Sequence, residues 1–135
     1  MIFRHIPINK RSDAGKLKQA IDKLFRQILL IERPHKCEWC KKETQVYVCH
    51  VLPKGRYPRL RYVELNVLLL CYYCHMIRWH KNPLEANAFM ESRASGSLEE
   101  LKMLDKTMQR HDTSYLQLLH HAKQRELEAL KELST

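Results

Sequence analysis

Four cysteines in two Cys-x-x-Cys pairs constrain the fold of this chain more than any other feature. Cys37 and Cys40 form the first pair, and Cys71 and Cys74 form the second, with 30 residues between the pairs. Zinc prefers four tetrahedral ligands, and each pair can supply two thiolates from one tight turn. A piece of about 40 residues seldom folds on its own core without a staple. The spacing therefore predicts a structural Zn²⁺ that closes the long loop between the pairs.

Two other uses of the cysteines are open at this point. A disulfide or redox pair is disfavoured, because the first ten residues do not look like a secretory signal and we expect reduced cytosolic thiols. The run Cys71-Tyr72-Tyr73-Cys74-His75 also fits the pattern of c-type haem attachment. That chemistry needs an exported, oxidising assembly route, and it would leave Cys37 and Cys40 without a role.

The net charge of +9 is concentrated around the cysteine pairs. Residues 1–96 contain 18 Lys/Arg and 8 Asp/Glu, whereas residues 97–135 contain 6 and 7. A basic field attracts phosphates, so this distribution favours nucleic acid as a partner over an ordinary surface of solvated lysines. No apolar run reaches the ~18 residues that a membrane span needs, and we therefore expect no membrane association.

One amphipathic helix is predicted before the first cysteine pair. Residues 1–11 are basic and patternless and predict a mobile or strand-like lead-in, after which Ser12 or Asp13 is suited to cap a helix. Pro34 ends the helix, because the residue before a proline is pushed out of the helical conformation. The apolar residues at helical spacing are Leu17, Ile21, Leu24, Ile28 and Ile31.

Between the cysteine pairs we expect two short strands. Residues 45–51 are rich in β-branched residues and predict the first strand, and residues 61–64 predict the second. Residues 52–60 contain two prolines and a glycine and indicate a loop. The apolar run Val67–Leu70 leads to the second cysteine pair, where a helix is expected to begin near Cys74 and to end before Pro83.

Further helices are expected after Pro83. One covers residues 83–93, and the break at Ser95-Gly96 separates it from the last two. These two form a helical hairpin, residues 97–135, that covers the core or pairs with another copy of the chain. The predicted caps are Asn82 before Pro83, Ser97 in a capping box with Glu100, and Asp112 or Thr113 for the last helix.

The residues inside the cysteine frame resemble a known family. His50-Val51-Leu52-Pro53, then Asn66, then Cys71-x-x-Cys74-His75 is similar to the motif of the HNH endonucleases, also called ββα-metal or treble-clef nucleases. The chain looks closest to phage recombination endonucleases of the NinG type, with Leu60-Arg61-Tyr62 and Trp79-His80-Lys81-Asn82-Pro83 in support. The resemblance implies an α+β fold: a zinc-stapled nuclease domain over residues 1–96, with a leading helix, followed by the C-terminal hairpin.

The resemblance also implies a role for each motif residue. His50 would be the general base, and Asn66 would hold the loop between the strands and orient His50. His75 would ligate one catalytic divalent ion, which could be Mg²⁺, Mn²⁺ or another. His80 is a candidate second ligand, but five residues span about 140° of an ideal helix, so both can reach one ion only where the helix is short or distorted. Cys49 stands where many relatives have Asp or His, and its ligation is left open.

Basic residues surround the motif in sequence and predict a DNA-binding surface. Arginines can fork onto phosphates, and aromatic rings can stack on unpaired bases. Tyr57, Tyr62 and Trp79 are interleaved with the basic residues, although core packing is the simpler use for Trp79. The predicted phosphate contacts are Lys54, Arg56, Arg59, Arg61 and Arg78, with Lys36, Lys41 and Lys42 as an extension of the surface.

These observations predict a metal-dependent DNA endonuclease, and the resemblance adds branched or single-strand-containing recombination intermediates as substrates. The alternative is a non-catalytic zinc-stapled DNA-binding or regulatory module. By resemblance the protein is encoded by a phage or prophage and acts in the cytoplasm of the bacterial host. The C-terminal helices could make it a homodimer.

Overall fold

The computed structural model of the protein describes residues 10–134, which are mostly helical with one small antiparallel sheet. The fold is therefore α+β. No helix among these residues is both long and apolar enough to span a bilayer. Nearly all of the predicted lead-in, residues 1–9, lies outside the described part. The elements are α1 (Lys10–Glu32), β1 (Tyr47–His50), β2 (Val67–Leu70), a π-helix (Tyr73–Trp79), α2 (Pro83–Arg93), α3 (Ser97–Thr107) and α4 (Thr113–Leu133).

The described residues form two compact units. The first unit contains residues 10–28 and 111–134, and the second contains residues 29–110. The first thus holds most of α1 and all of α4, whereas α3 belongs to the second. The predicted C-terminal hairpin, as a domain of residues 97–135, stays a prediction.

In the first unit, α1 and α4 each bury one apolar stripe. Ile21, Phe25 and Ile28 are buried on α1, and Leu116 and Leu127 on α4. The helix α4 begins where the sequence predicts, because the Asp112 carboxylate accepts a 2.8 Å hydrogen bond from the Tyr115 N–H. The predicted start of α1 is wrong by a few residues: the helix begins at Lys10, so Ser12 and Asp13 lie inside its first turn.

The apolar face of α1 also differs from the predicted one. Ile31 is 40% exposed, while Leu29, which the predicted stripe omits, is fully buried in the second unit. The buried positions Ile21, Phe25, Ile28 and Leu29 follow the i, i+4, i+7, i+8 spacing of a wide helical face. The helix α1 ends at Glu32, in agreement with the restriction that Pro34 imposes on the backbone of Arg33.

In the second unit, β1 and β2 pair antiparallel, with His50 opposite Val67 and Tyr47 opposite Leu70. The prediction of the first strand is confirmed within residues 45–51. The predicted second strand at residues 61–64 is wrong, since residues 61–63 lie between two 3₁₀ turns, Pro58–Leu60 and Glu64–Asn66, and Glu64 begins the second turn. β2 has all four side chains buried, and this burial favours it over the half-exposed segment before it.

Helical segments follow β2 directly. The expected helix near Cys74 is present, but over Tyr73–Trp79 it is a π-helix, in which hydrogen bonds join residues five apart. The helix α2 has the predicted bounds, and the Asn82 side chain accepts from the Glu85 N–H. The capping box of Ser97 is wrong: Gly96, at a φ of 80° that favours glycine, precedes α3, and the buried Ser97 hydroxyl has no hydrogen-bond partner in the described structure.

Candidate metal and catalytic site

The two Cys-x-x-Cys pairs come together in the second unit. The Sγ atoms of Cys37, Cys40, Cys71 and Cys74 all lie within 4.8 Å of one another, and Cys40 Sγ is 3.8 Å from Cys71 Sγ. Thiolates at ~2.3 Å from a tetrahedral zinc ion lie about 3.8 Å apart. All five cysteines of the chain are free thiols. The cluster therefore fits a structural metal such as zinc.

Backbone and side-chain donors point at the sulfur atoms. The Cys40 N–H lies 3.4 Å from Cys37 Sγ, and the Cys74 N–H lies 3.5 Å from Cys71 Sγ. Arg78 Nη1 is 3.8 Å from Cys74 Sγ. These donors stabilise negative charge on sulfur, which is the form that binds a metal.

The thiols of the cluster differ in acidity. Burial raises the pKa of Cys37, but the backbone N–H groups of Cys71, Cys40 and Trp39 outweigh burial and bring it to about 7. Burial, followed by the thiols of Cys71 and Cys37, raises the pKa of Cys74 to about 12. Without a cation the four groups cannot all be thiolates at neutral pH, and a coordinated metal ion would supply the missing positive charge.

Glu38, inside the first cysteine pair, ties that turn to the sheet. Its N–H donates to the Leu69 carbonyl at 2.8 Å, and its carboxylate accepts from the Leu69 N–H at 2.6 Å. Arg33 and Arg93 form ion pairs with the same carboxylate at 3.1 and 3.4 Å. The turn is thus held against β2 independently of any metal. Sequence reasoning missed Glu38, because a lone acidic residue between two cysteines carries no motif.

Asn66 is the one polar residue buried to 0% exposure among the described residues. Its Oδ1 accepts from the Leu52 N–H at 2.8 Å, and its Nδ2 donates to the carbonyls of Leu52 and Leu60 at 3.1 and 3.2 Å. The side chain of Asn66, at the end of the loop between the strands, therefore joins it to Leu52 and Leu60. The next carbonyl along the loop, that of Arg61, contacts His50.

Replacing Asn66 with alanine should lower the free energy of unfolding by about 2–4 kcal/mol, because it leaves buried backbone groups of Leu52 and Leu60 without partners. Urea unfolding in zinc-containing buffer measures this change. Asn87, exposed on α2, is the matched control, and its alanine variant should stay within about 0.5 kcal/mol of wild type. Equal stability of the two variants would show that the amide network does not hold the loop.

His50 lies at the end of β1, and one of its ring nitrogens has a defined role. Its Nε2 is 2.9 Å from the Arg61 carbonyl oxygen. A carbonyl can only accept, so Nε2 carries the proton and the basic lone pair of the neutral ring is on Nδ1. The ring is thus held in the tautomer of a proton acceptor. The Asn66 amide contacts the carbonyl of Leu60, the residue directly before Arg61.

The π-helix brings His75 and His80 onto one face. The backbone N–H of His80 donates to the His75 carbonyl, which is the bond between residues five apart that defines this helix type. Their Nε2 atoms lie 3.0 Å apart, and their ring centroids 4.7 Å apart. The distortion on which the second-ligand role of His80 depended is therefore present. Nitrogens bound to one ion at ~2.1 Å lie about 3.0–3.4 Å apart, so the pair fits a shared cation as well as a shared proton.

His80 and His50 both lie close enough to His75 to act on it electrostatically. The pKa of His75 is lowered, first by burial and then by the charges of His80 and His50. A lowered pKa keeps the ring neutral near pH 7, which is the form that binds a metal. The three motif histidines thus belong to one neighbourhood of the second unit.

Cys49 is placed where ligation is disfavoured. It is 0% exposed in the apolar core, and burial raises its pKa to about 12. Neighbouring strand residues point to opposite faces, so Cys49 and His50 face different sides of the sheet. The structure therefore gives Cys49 the environment of a core residue.

Of the five predicted phosphate contacts, two are exposed on the loop and three make contacts within the protein. Lys54 and Arg56 are exposed on the loop, as a phosphate contact requires. Arg59 contacts the Asp105 carbonyl at 3.4 Å, and the Arg61 guanidinium lies 5.7 Å from the Tyr62 ring centroid. Arg78 is engaged elsewhere: it pairs with Glu85, with N–O distances of 2.6 and 2.8 Å, and stacks 4.0 Å above the Trp39 ring.

The aromatic residues are distributed differently from the predicted pattern. Tyr62 is 7% exposed, and Tyr57 and Trp79 are half-buried against the core, so none is an open stacking surface. Among the residues that the structure describes, the exposed aromatic ones are Tyr72 and Tyr73, inside the second cysteine pair. In the sequence, Tyr72 and Tyr73 stood out only as the two residues between the cysteines of a metal-binding turn, so their exposure was not predicted.

No protein-family model, curated protein or solved structure shows detectable similarity to this chain. The site is therefore interpreted from its own residues.

Proposed function

We propose that the protein is a metal-dependent DNA endonuclease of the HNH type. The observation that carries the proposal is a group of three histidines. His50 is in a base tautomer and is near enough to His75 to help lower its pKa, and the Nε2 atoms of His75 and His80 lie 3.0 Å apart. The cysteine cluster and the Asn66 bridge support it, because they brace the two sides of this neighbourhood. A purely structural cluster would not need a histidine pair on a π-helix.

The treble-clef architecture belongs to the same proposal. The chain order in the second unit is a cysteine turn, a β-hairpin, a second cysteine turn and a helix that starts within it. This order supports a zinc-stapled ββα core in which the hairpin supplies His50 and the helix supplies His75. The supporting length of chain is short, and the metal would provide much of its folding free energy.

The residues divide the work of hydrolysis between them. His50 Nδ1 takes a proton from the attacking water, while the Arg61 carbonyl keeps the ring oriented. His75 and His80 would hold the catalytic ion, and that ion would supply positive charge to stabilise the phosphate and the leaving oxygen. Lys54 and Arg56 are exposed cations that can bind the flanking phosphates. Asn66 keeps the loop that carries these groups in place.

The proposed ion site has imidazole ligands, and the structure adds no thiolate to them. Imidazole suits Zn²⁺, Cu²⁺, Fe²⁺ and Ni²⁺ better than Mg²⁺, which prefers oxygen ligands. We therefore expect transition metals to support cleavage at lower concentrations than Mg²⁺. Open coordination positions would be filled by water and substrate phosphate.

The direct test is a cleavage assay with protein of defined metal content. Linear duplex, single strand, flap and four-way junction DNA are each incubated with the protein and one divalent ion at a time. We expect ion-dependent cleavage, with the single-strand-containing or branched substrates cut faster than linear duplex. Binding without cleavage under every ion would support the alternative, a zinc-stapled DNA-binding or regulatory module.

Replacing His75 or His80 with alanine should reduce cleavage at low metal concentration by at least about tenfold, because each variant removes one ligand. Higher metal concentration should partly restore the rate. The matched control is His121→Ala, which changes an exposed histidine on α4. Loss that no metal concentration relieves, or equal rates for all three variants, would contradict metal binding by the pair.

A further inference from the structure

We propose that an open cleft beside the cysteine cluster binds an unpaired base of single-stranded DNA. The cleft has a volume of about 580 Å³, within the range of ligand sites, and it is lined by ten residues of the second unit. It lies among the two cysteine turns and the segment that leads into β1. The choice of DNA as the ligand rests on the proposed function. The cleft would be a binding subsite in addition to the histidine site proposed for hydrolysis.

Two exposed tyrosines carry the inference. Tyr72 and Tyr73 line the cleft and are 64% and 61% exposed, whereas large aromatic side chains usually bury most of their area. Both stand on the short turn between Cys71 and Cys74, which the hydrogen bond from the Cys74 N–H to Cys71 Sγ holds in place. The rings are therefore offered to solvent from a fixed backbone.

A third ring makes the cleft suited to a flat ligand. Tyr47, at the start of β1, also lines the cleft, and its ring is nearly perpendicular to that of Tyr72, with centroids 6.4 Å apart and an interplanar angle of 72°. An edge-to-face contact covers at most one face of the Tyr72 ring, and with 64% of Tyr72 exposed a flat ligand can stack on the other face. Thr44 and Gln45 add polar side chains that can hydrogen-bond to a base edge.

The charge of the lining favours a nucleotide over an apolar ligand. Lys42 and Arg78 line the cleft, and none of the lining residues is Asp or Glu. Arg78 already offsets the cysteine sulfurs through its contact with Cys74, whereas Lys42 is exposed and can bind a phosphate. Because bases in a duplex stack on each other, only an unpaired base can insert its face against tyrosine.

The cleft also lies close in sequence to the proposed hydrolytic residues. Tyr73 begins the π-helix that carries His75 and His80, so one segment would bind the base and the metal ion. This coupling gives a physical reason for a preference for DNA that contains single strands, which the histidines alone do not supply.

The experiment measures fluorescence anisotropy of labelled DNA in the zinc-loaded His50→Ala background, where cleavage should be about 10²–10⁴-fold slower than in wild type. The probes are a 15-nucleotide oligothymidylate, the same backbone with abasic sites, and a blunt duplex of equal length. Changing both Tyr72 and Tyr73 to alanine should weaken oligothymidylate binding roughly 5- to 100-fold, the cost of losing base stacking, and change duplex binding by less than about twofold. The parent protein, which retains both tyrosines, should bind the abasic probe more weakly than oligothymidylate by a similar factor.

Two control variants make the result specific. The double phenylalanine variant, Tyr72→Phe with Tyr73→Phe, retains the rings and should bind within about threefold of the parent. Leu84→Ala removes another side chain, 82% exposed on α2, and should have no effect. Zinc content and circular dichroism verify that each variant is folded.

Equal binding of oligothymidylate by the alanine and parent proteins would overturn the inference, as would equal affinity of the parent for the abasic probe. A change from dimer to monomer in sedimentation, with DNA binding intact, would assign the tyrosines to self-association and also overturn it. The tyrosine effect without cleavage by wild type would uphold the cleft and reject the nuclease. Cleavage without a tyrosine effect would do the reverse.

Discussion

Replacing Cys37 or Cys74 with serine should release the structural metal and unfold the second unit around residues 37–80. Structural zinc contributes about 10–16 kcal/mol in small metal-bound domains, which is comparable to the whole ~5–15 kcal/mol stability of a typical fold. The three sulfurs left behind cannot complete the tetrahedral site. Zinc per chain, measured by elemental analysis, and the thermal transition, measured by circular dichroism, should both fall together.

The fifth cysteine provides the control for this prediction. Cys49 is buried in the core outside the cluster, so Cys49→Ala should retain one zinc ion per chain and lose only about 1 kcal/mol of stability. A chelator strong enough to remove zinc should unfold wild type as Cys37→Ser does. The Cys49→Ala variant should be no more sensitive to the chelator than wild type. If Cys37→Ser and Cys74→Ser melt like wild type, the four-thiolate site is wrong.

Replacing His50 with alanine should lower the cleavage rate by about 10²–10⁴-fold, the usual contribution of a positioned general base. DNA affinity should change little, because the ring contributes one neutral group to a basic surface. Rates under single-turnover conditions, together with anisotropy binding, separate the two effects. The His50 ring is hydrogen-bonded to the backbone carbonyl of Arg61, so the variant leaves the Arg61 side chain in place.

Asn66→Ala is the comparison that distinguishes chemistry from folding. It should lower activity in proportion to the fraction of protein that is unfolded, and conditions that stabilise the fold should restore the rate. His50→Ala should keep wild-type stability and recover no activity under those conditions. A His50→Ala variant that cuts at the wild-type rate would remove the general base from the mechanism.

Local signals in the sequence were enough to predict the cysteine cluster and the bounds of α2. A Cys-x-x-Cys turn brings two sulfurs within reach of one ion whatever surrounds it, and Asn82 followed by Pro83 begins a helix without help from distant residues. The cap at Asp112 was predictable for the same reason. Each cysteine turn, the start of α2 and the cap at Asp112 depend on neighbours within about five residues.

The errors arose where distant contacts decide the structure. Residues 61–64 have a strand-like composition, yet β2 forms at Val67–Leu70 because that run can bury every side chain against the core. The sequence showed only that His75 and His80 could share an ion if the helix were distorted. It could not predict the π-helix itself, because its wider turn depends on tertiary contacts. Tyr72 and Tyr73 gave no signal, because only the fold shows that their rings are exposed beside a cleft.

The most direct measurement of the central claim is a metal titration of wild type and the double variant His75→Ala with His80→Ala, using Co²⁺ as a spectroscopic probe. Wild type should bind two ions per chain: one tight ion with intense thiolate-to-metal charge-transfer bands, and a weaker one without them. The double variant should lose only the second ion and, with it, cleavage. One ion per chain in wild type at saturating Co²⁺, or an unchanged second ion in the double variant, would contradict a hydrolytic cation held beside His50 by the π-helix.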